Sequence, residues 1–159
     1  MMTSTTTYQI VSREVPTQRV ATLRERVPAA AIGQAFGEGL AEVTRATELA
    51  GAEIDGLPFA IYHRMDPQEV DVEIGFPILG QVEEGRVHTT TLEGGHVVCT
   101  VHMGPYEEVD RAYDALTRWV DLHGERVVGP SREVYLNEPV AGVLPLTEVQ
   151  MPIESHHPR

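Results

Sequence analysis

The chain has no lysine and one cysteine, Cys99, in 159 residues. A lone cysteine excludes an intramolecular disulfide and a thiolate zinc cluster. Without lysine, 12 arginines stand against 24 acidic side chains, a net charge of -12. A surface this acidic repels phosphate backbones, which argues against nucleic-acid binding and favours neutral or cationic small ligands. No apolar run approaches the ~18 residues of a membrane span. The segment Met1–Thr7 lacks the basic and hydrophobic regions of a signal peptide, so a cytoplasmic location without membrane contact is expected. Also missing are a Gly-x-Ser-x-Gly elbow, a phosphate-cradling glycine loop and a helix with paired histidines. No cofactor is implied.

What is present suits one compact α+β domain, with 42% hydrophobic residues to fill a core. Tyr8–Glu14 and Arg19–Arg26 are strand candidates, most simply joined as a hairpin across Pro16. Pro28 can open a helix, and Ile32, Phe36, Leu40, Val43, Thr47 and Ala50 follow at helical spacing before Gly51. Leu57–Arg64 reads as a strand, Asp66-Pro67 as a turn, and Val70, Val72, Ile74, Phe76 and Ile78 as the buried face of another strand. The pattern then restarts. Strands Val87–Leu92 and His96–Met103 flank the Glu93-Gly94-Gly95 turn, and Gly104-Pro105 opens a helix carrying Tyr106, Val109, Tyr113, Leu116 and Val120. Strands at Arg132–Asn137 and Thr147–Glu154 complete a second ββαββ unit.

The endings of the two units match. Phe76-Pro77-Ile78 is echoed by Met151-Pro152-Ile153, and Tyr62 by Tyr135. We therefore expect one domain over residues 8–154, built from duplicated halves 8–78 and 87–154, with tails at 1–7 and 155–159. A pseudo-twofold should relate the halves in a largely antiparallel sheet with two main helices and a central groove for ligand. In this register Ala60 matches Glu133, so the carboxylate occurs in one copy only.

Ser131–Pro139 is the stretch on which a functional reading centres. Strand alternation sends Val134 and Leu136 to one face and Glu133, Tyr135 and Asn137 to the other. A buried carboxylate among tyrosines attracts an organic cation by charge, and the rings add about 0.5–2 kcal/mol each by cation–π attraction. Such a carboxylate needs donors nearby, for which Tyr135 and Tyr62 are the candidates. The same raised pKa would suit a general base. Tyr106, directly after Gly-Pro, can tilt toward the groove. Trp119 shares the spacing of Tyr113 and Leu116, which helix packing alone would explain. His88, His96, His102 and Cys99 offer no close ligand pair on a helix, so no metal site is expected.

His102-Met103-Gly104-Pro105-Tyr106, the Tyr113–Trp119 helix, Glu133-Val134-Tyr135-Leu136-Asn137 and Glu148-Val149-Gln150-Met151-Pro152-Ile153 together resemble the GyrI-like small-molecule-binding domain family. This family includes the effector-binding domains of multidrug-responsive and AraC-type bacterial transcription regulators. The resemblance implies an aromatic pocket for a hydrophobic molecule, which in some members is a lipophilic cation. It places the pocket's two acidic residues on Glu133 and Glu148, and with Tyr135, Tyr62, Tyr106 and Trp119 these make up the expected ligand-binding set. No helix-turn-helix accompanies the domain in this sequence, so a stand-alone form is expected. Some relatives hydrolyse reactive small molecules, which would make Glu133 the general base. Others inhibit DNA gyrase, which would imply a protein partner.

Overall fold

A computed structural model describes residues 7–138 and 140–155; Pro139 and most of both expected tails lie outside the described residues. Among the described residues, eleven strands and two α-helices follow in the order β1 (Val11–Val15), β2 (Gln18–Pro28), α1 (Ile32–Leu49), β3 (Glu53–Ile54), β4 (Phe59–Met65), β5 (Glu69–Leu79), β6 (Glu83–Glu84), β7 (Val87–Leu92), β8 (Gly95–Met103), α2 (Asp110–Leu122), β9 (Glu125–Val127), β10 (Ser131–Tyr135) and β11 (Leu146–Ser155). Each helix is entered from a proline, Pro28 or Pro105, through a 3-10 turn at Ala29–Ala31 or Tyr106–Glu108. Proline suits that entry because its φ is fixed and it has no N–H to leave unpaired. The helices expected from Pro28 and Pro105 therefore each divide into a 3-10 turn and a later α-helix.

The sheet is antiparallel, in the order β1-β8-β11-β10-β4-β5-β2-β7-β6, with β3 beside the end of β5 and β9 beside the end of β11. Facing residues in adjacent strands share a face, so the ladder Ile74–Ala60–Glu133–Val149 marks one side across four strands. Both helices cover that side. Val149 packs with Ala112, Leu116 and Val120 of α2. Ile74 lies beneath α1, where a Cβ on Gly39 would come 3.2 Å from its Cδ1. The missing side chain lets the helix approach closely.

The two expected hairpins do not form. β1 pairs with β8 rather than β2, and β7 pairs with β2 rather than β8. A flat sheet would hold β1 and β2 about 29 Å apart, six steps of ~4.8 Å, yet Val15 and Gln18 are joined through two residues, which reach at most ~11 Å. The sheet must therefore curl until its flanks meet. The Pro16-Thr17 and Glu93-Gly94 links cross at that closure, and Gly94 N–H donates to Thr17 Oγ1 at 2.9 Å. A Cβ on Gly94 would lie 2.4 Å from the Val15 carbonyl oxygen, so only glycine fits there. Inside the curl, on the helix-free face, Val20, Phe59, Ile61 and Leu92 form a second buried cluster.

Outward from the β4–β10 junction the order is β5, β2, β7 on one side and β11, β8, β1 on the other. The pseudo-twofold thus exchanges the first strand of each half. The offset along the chain from Tyr62 to Tyr135 equals that from Ala60 to Glu133, and Ala60 faces Glu133 in the ladder. An axis carrying β4 onto β10 with that offset must pass between Ala60 and Glu133. Among the described residues, no helix is long and apolar enough to cross a membrane.

Candidate functional site

Glu133 sits at the pseudo-axis, on the helix-covered face, with 1% of its surface exposed. Tyrosines from several elements converge on it. Tyr106, on the 3-10 turn before α2, donates to Oε1 at 2.7 Å. Tyr135, two residues along β10 and hence on the same face, donates to Oε1 at 2.9 Å. Tyr113, in the first turn of α2, donates to Oε2 at 2.6 Å. Tyr62 of β4 closes the ring, with its hydroxyl 2.6 Å from that of Tyr106 and 3.4 Å from that of Tyr135. Four of the five tyrosines in the chain are spent on this one carboxylate.

The electrostatics are opposed. Burial pushes the Glu133 carboxyl above its ordinary range, and the hydroxyls of Tyr113, Tyr106, Tyr135 and Tyr62 pull it back down without cancelling the shift. The phenols themselves are driven up, first by burial and then by the neighbouring carboxylate, so they remain protonated donors. Every donor is neutral. Among the described residues no arginine or histidine forms an ion pair with Glu133.

The halves furnish this site unequally. The offset from Pro28 to Pro105 equals that from Phe36 to Tyr113. Phe36 therefore stands in the first half where Tyr113 stands in the second, and its ring lies 4.5 Å from that of Tyr135. Ala29, Ile32, Phe36 and Leu40 make an apolar wall on the α1 side. The three hydroxyls that donate directly to Glu133, those of Tyr106, Tyr113 and Tyr135, all come from the second half. His102, 3% exposed, has its Nε2–H on the Pro105 carbonyl at 2.9 Å and its Nδ1 facing the Tyr8 hydroxyl at 2.9 Å, holding the turn that presents Tyr106.

Of the residues expected to bind ligand, Glu133, Tyr135, Tyr62 and Tyr106 come together, whereas Glu148 and Trp119 lie elsewhere. Glu148 neighbours Val149, which faces Glu133, so strand alternation turns it to the helix-free side. There it pairs with Arg13 at 2.5 Å. Trp119 follows Tyr113 by six positions, which sets it about 120° away around the helix. It stacks on His123 with ring centroids 4.0 Å apart. Tyr113, whose spacing suits helix packing, joins the cluster although it lies outside the expected binding set. Its heptad spacing from Tyr106 was the signal, since positions so spaced share a helix face. The surface cleft of about 340 Å³ lined by Thr17, Arg19, Asp55, Pro77, Leu79 and Gly80 shares no lining residue with this cluster.

The model of the GyrI-like small molecule binding domain matches residues 8–154. The chain belongs to that family. None of the curated proteins compared with it matches. Among solved structures, this GyrI-like chain is similar to the EcmrR C-terminal domain, with TM-score 0.83 and 23% identity over 93% of this chain and 98% of that one. It spans 58% of the longer EcmrR chain seen in complex with DNA. SAV2435 bound to tetraphenylphosphonium gives TM-score 0.58 and 13% identity, covering 96% of this chain and 100% of that one. A hydrolase from Listeria innocua gives TM-score 0.62 and 14% identity over 92% of each chain. At these identities the likeness is one of fold.

Proposed function

We propose that this domain captures a hydrophobic organic cation, with Glu133 as the countercharge. The observation that carries the reading is a buried carboxylate whose partners are all neutral phenols. Burying a charge without an opposite charge is costly, and a cationic ligand supplies what the protein omits. The division of the site supports an amphipathic guest. Its charge would rest against the second-half tyrosines, and its apolar body against Ile32, Phe36 and Leu40 of α1. Because Glu133 is enclosed, such a guest must displace at least one phenol from the carboxylate as it enters.

The hydrolase reading of Glu133 draws less support. A general base must turn a free lone pair toward water. Glu133 has about four acceptor positions, and three tyrosine hydroxyls take up most of them in this arrangement.

Tetraphenylphosphonium and tetraphenylborate have nearly the same shape and opposite charge, so calorimetry with the two separates charge from fit. The cation is expected to bind at least about tenfold more tightly, a difference of ~1.4 kcal/mol. Equal affinity, or preference for the borate, would overturn the proposal.

A further inference from the structure

Beyond the tyrosine cage, the flank of the sheet formed by β1 and β8 brings together three side chains that no sequence motif announces. His96 lies opposite Glu14 in the antiparallel register, and Ser12, two residues before Glu14, shares its face. Ser12 Oγ is 2.5 Å from His96 Nε2, and His96 Nδ1 is 2.7 Å from Glu14 Oε1. We propose that Ser12, His96 and Glu14 form a serine–histidine–glutamate triad that hydrolyses small, unhindered carboxylic esters, independently of Glu133.

The hydrogen-bond chemistry fixes the roles. A carboxylate only accepts, so the Nδ1 of His96 that faces Glu14 carries the ring proton. In the neutral imidazole Nε2 is then the bare nitrogen, and it faces the Ser12 hydroxyl as a general base must. Arg13, the nearest cation along the strand, does not compete for Glu14. Strand alternation turns it to the other face, where it pairs with Glu148. The strand also offers a place for the developing oxyanion. β1 ends the sheet order, so its outer edge has no partner strand among the described residues. Successive N–H groups of an antiparallel strand point alternately inward and outward, so one of the Ser12 and Arg13 N–H groups points away from β8, toward the open edge.

The reaction is ordinary acyl transfer. Ser12 Oγ attacks the ester carbonyl while His96 Nε2 takes its proton, and the tetrahedral oxyanion then collapses with cleavage of the ester C–O bond. The alcohol departs with the proton from Nε2. Water repeats the sequence on the acyl-serine, releasing the carboxylic acid and restoring Ser12. All three side chains are exposed, so the triad has no acyl pocket, which limits it to short acyl groups.

The full chain incubated with p-nitrophenyl acetate tests this. Peptide mapping of the quenched reaction should find an acetyl group on Ser12, and Ser12→Ala should lower kcat/KM by about 10²-fold or more with an unchanged melting curve. Glu14→Gln, which leaves Ser12 and the imidazole in place, should lower kcat with little change in KM. Turnover unaltered in Ser12→Ala would overturn the proposal, as would acetyl found only on His96, which is simple imidazole catalysis.

Discussion

Replacing Tyr113 by phenylalanine deletes one hydroxyl from the cage and keeps the ring. Among the described residues, that hydroxyl is the sole donor to Glu133 Oε2, at 2.6 Å, whereas Oε1 has both Tyr106 and Tyr135. Losing a charge-assisted hydrogen bond to a buried carboxylate costs about 1.5–3 kcal/mol. At about 2–4 °C per kcal/mol for a chain of this size, Tm should fall by about 3–12 °C at pH 8. The deficit has a definite pH dependence. Glu133 already titrates above its unfolded value because burial outweighs its hydrogen bonds, and removing Tyr113 raises it further. A carboxyl with a raised folded pKa contributes stability that is fully present below the unfolded pKa and lost as pH rises through the folded one. The cost of Tyr113→Phe should therefore be greatest at pH 8 and shrink in acid, where a neutral carboxyl is buried. Thermal and urea unfolding followed by circular dichroism from pH 5 to pH 8 would measure it. A difference below about 0.5 kcal/mol at pH 8, or a deficit that does not change with pH, would refute the reasoning.

Three other perturbations test the fold and the charge together. Glu133→Gln removes the titrating group, so its stability relative to wild type should increase as pH rises through the folded pKa of Glu133; a flat difference across that range would contradict the raised value. Ala60→Glu would put a second carboxylate across the axis from the first, costing about 3–5 kcal/mol at neutral pH with partial recovery in acid, as unfolding at two pH values would show. Gly75→Ala would place a Cβ 2.0 Å from the Ala21 carbonyl oxygen, forcing β2 and β5 apart. Its urea midpoint should fall by the equivalent of about 3 kcal/mol at any pH, and a wild-type midpoint would contradict the strand register.

Much of this architecture was legible because its signals are local. Alternation along β5, helical spacing in α1 and α2, and prolines at both helix entries need no knowledge of the partner strands. The matching of Tyr62 with Tyr135 and of Ala60 with Glu133 could also be read from spacing, and it located the pseudo-axis. Pairing was less accessible. Pro16-Thr17 and Glu93-Gly94 look like hairpin turns, and only the crossing of the two links, with Gly94 against the Val15 backbone, shows that each sends its strands to opposite flanks. Glu148 needed the register of β11, since a shift of one residue would have exchanged it with Val149. Tyr113 was hidden by its fit to core spacing, because a residue lining a buried site and one filling a core share the same period. The Ser12–His96–Glu14 cluster joins distant parts of the chain and exists only through the exchange of β1 onto β8.

If Glu133 is the countercharge for a cationic guest, the charge on its carboxylate must govern affinity. Calorimetric titration of tetraphenylphosphonium into wild type and Glu133→Gln between pH 5 and pH 8 tests it most directly. Wild-type affinity should fall as pH drops through the raised pKa of Glu133. Glu133→Gln should bind about 10- to 150-fold more weakly at pH 8, the equivalent of ~1.5–3 kcal/mol, with no dependence on pH. Equal affinity of the two proteins at pH 8 would contradict it.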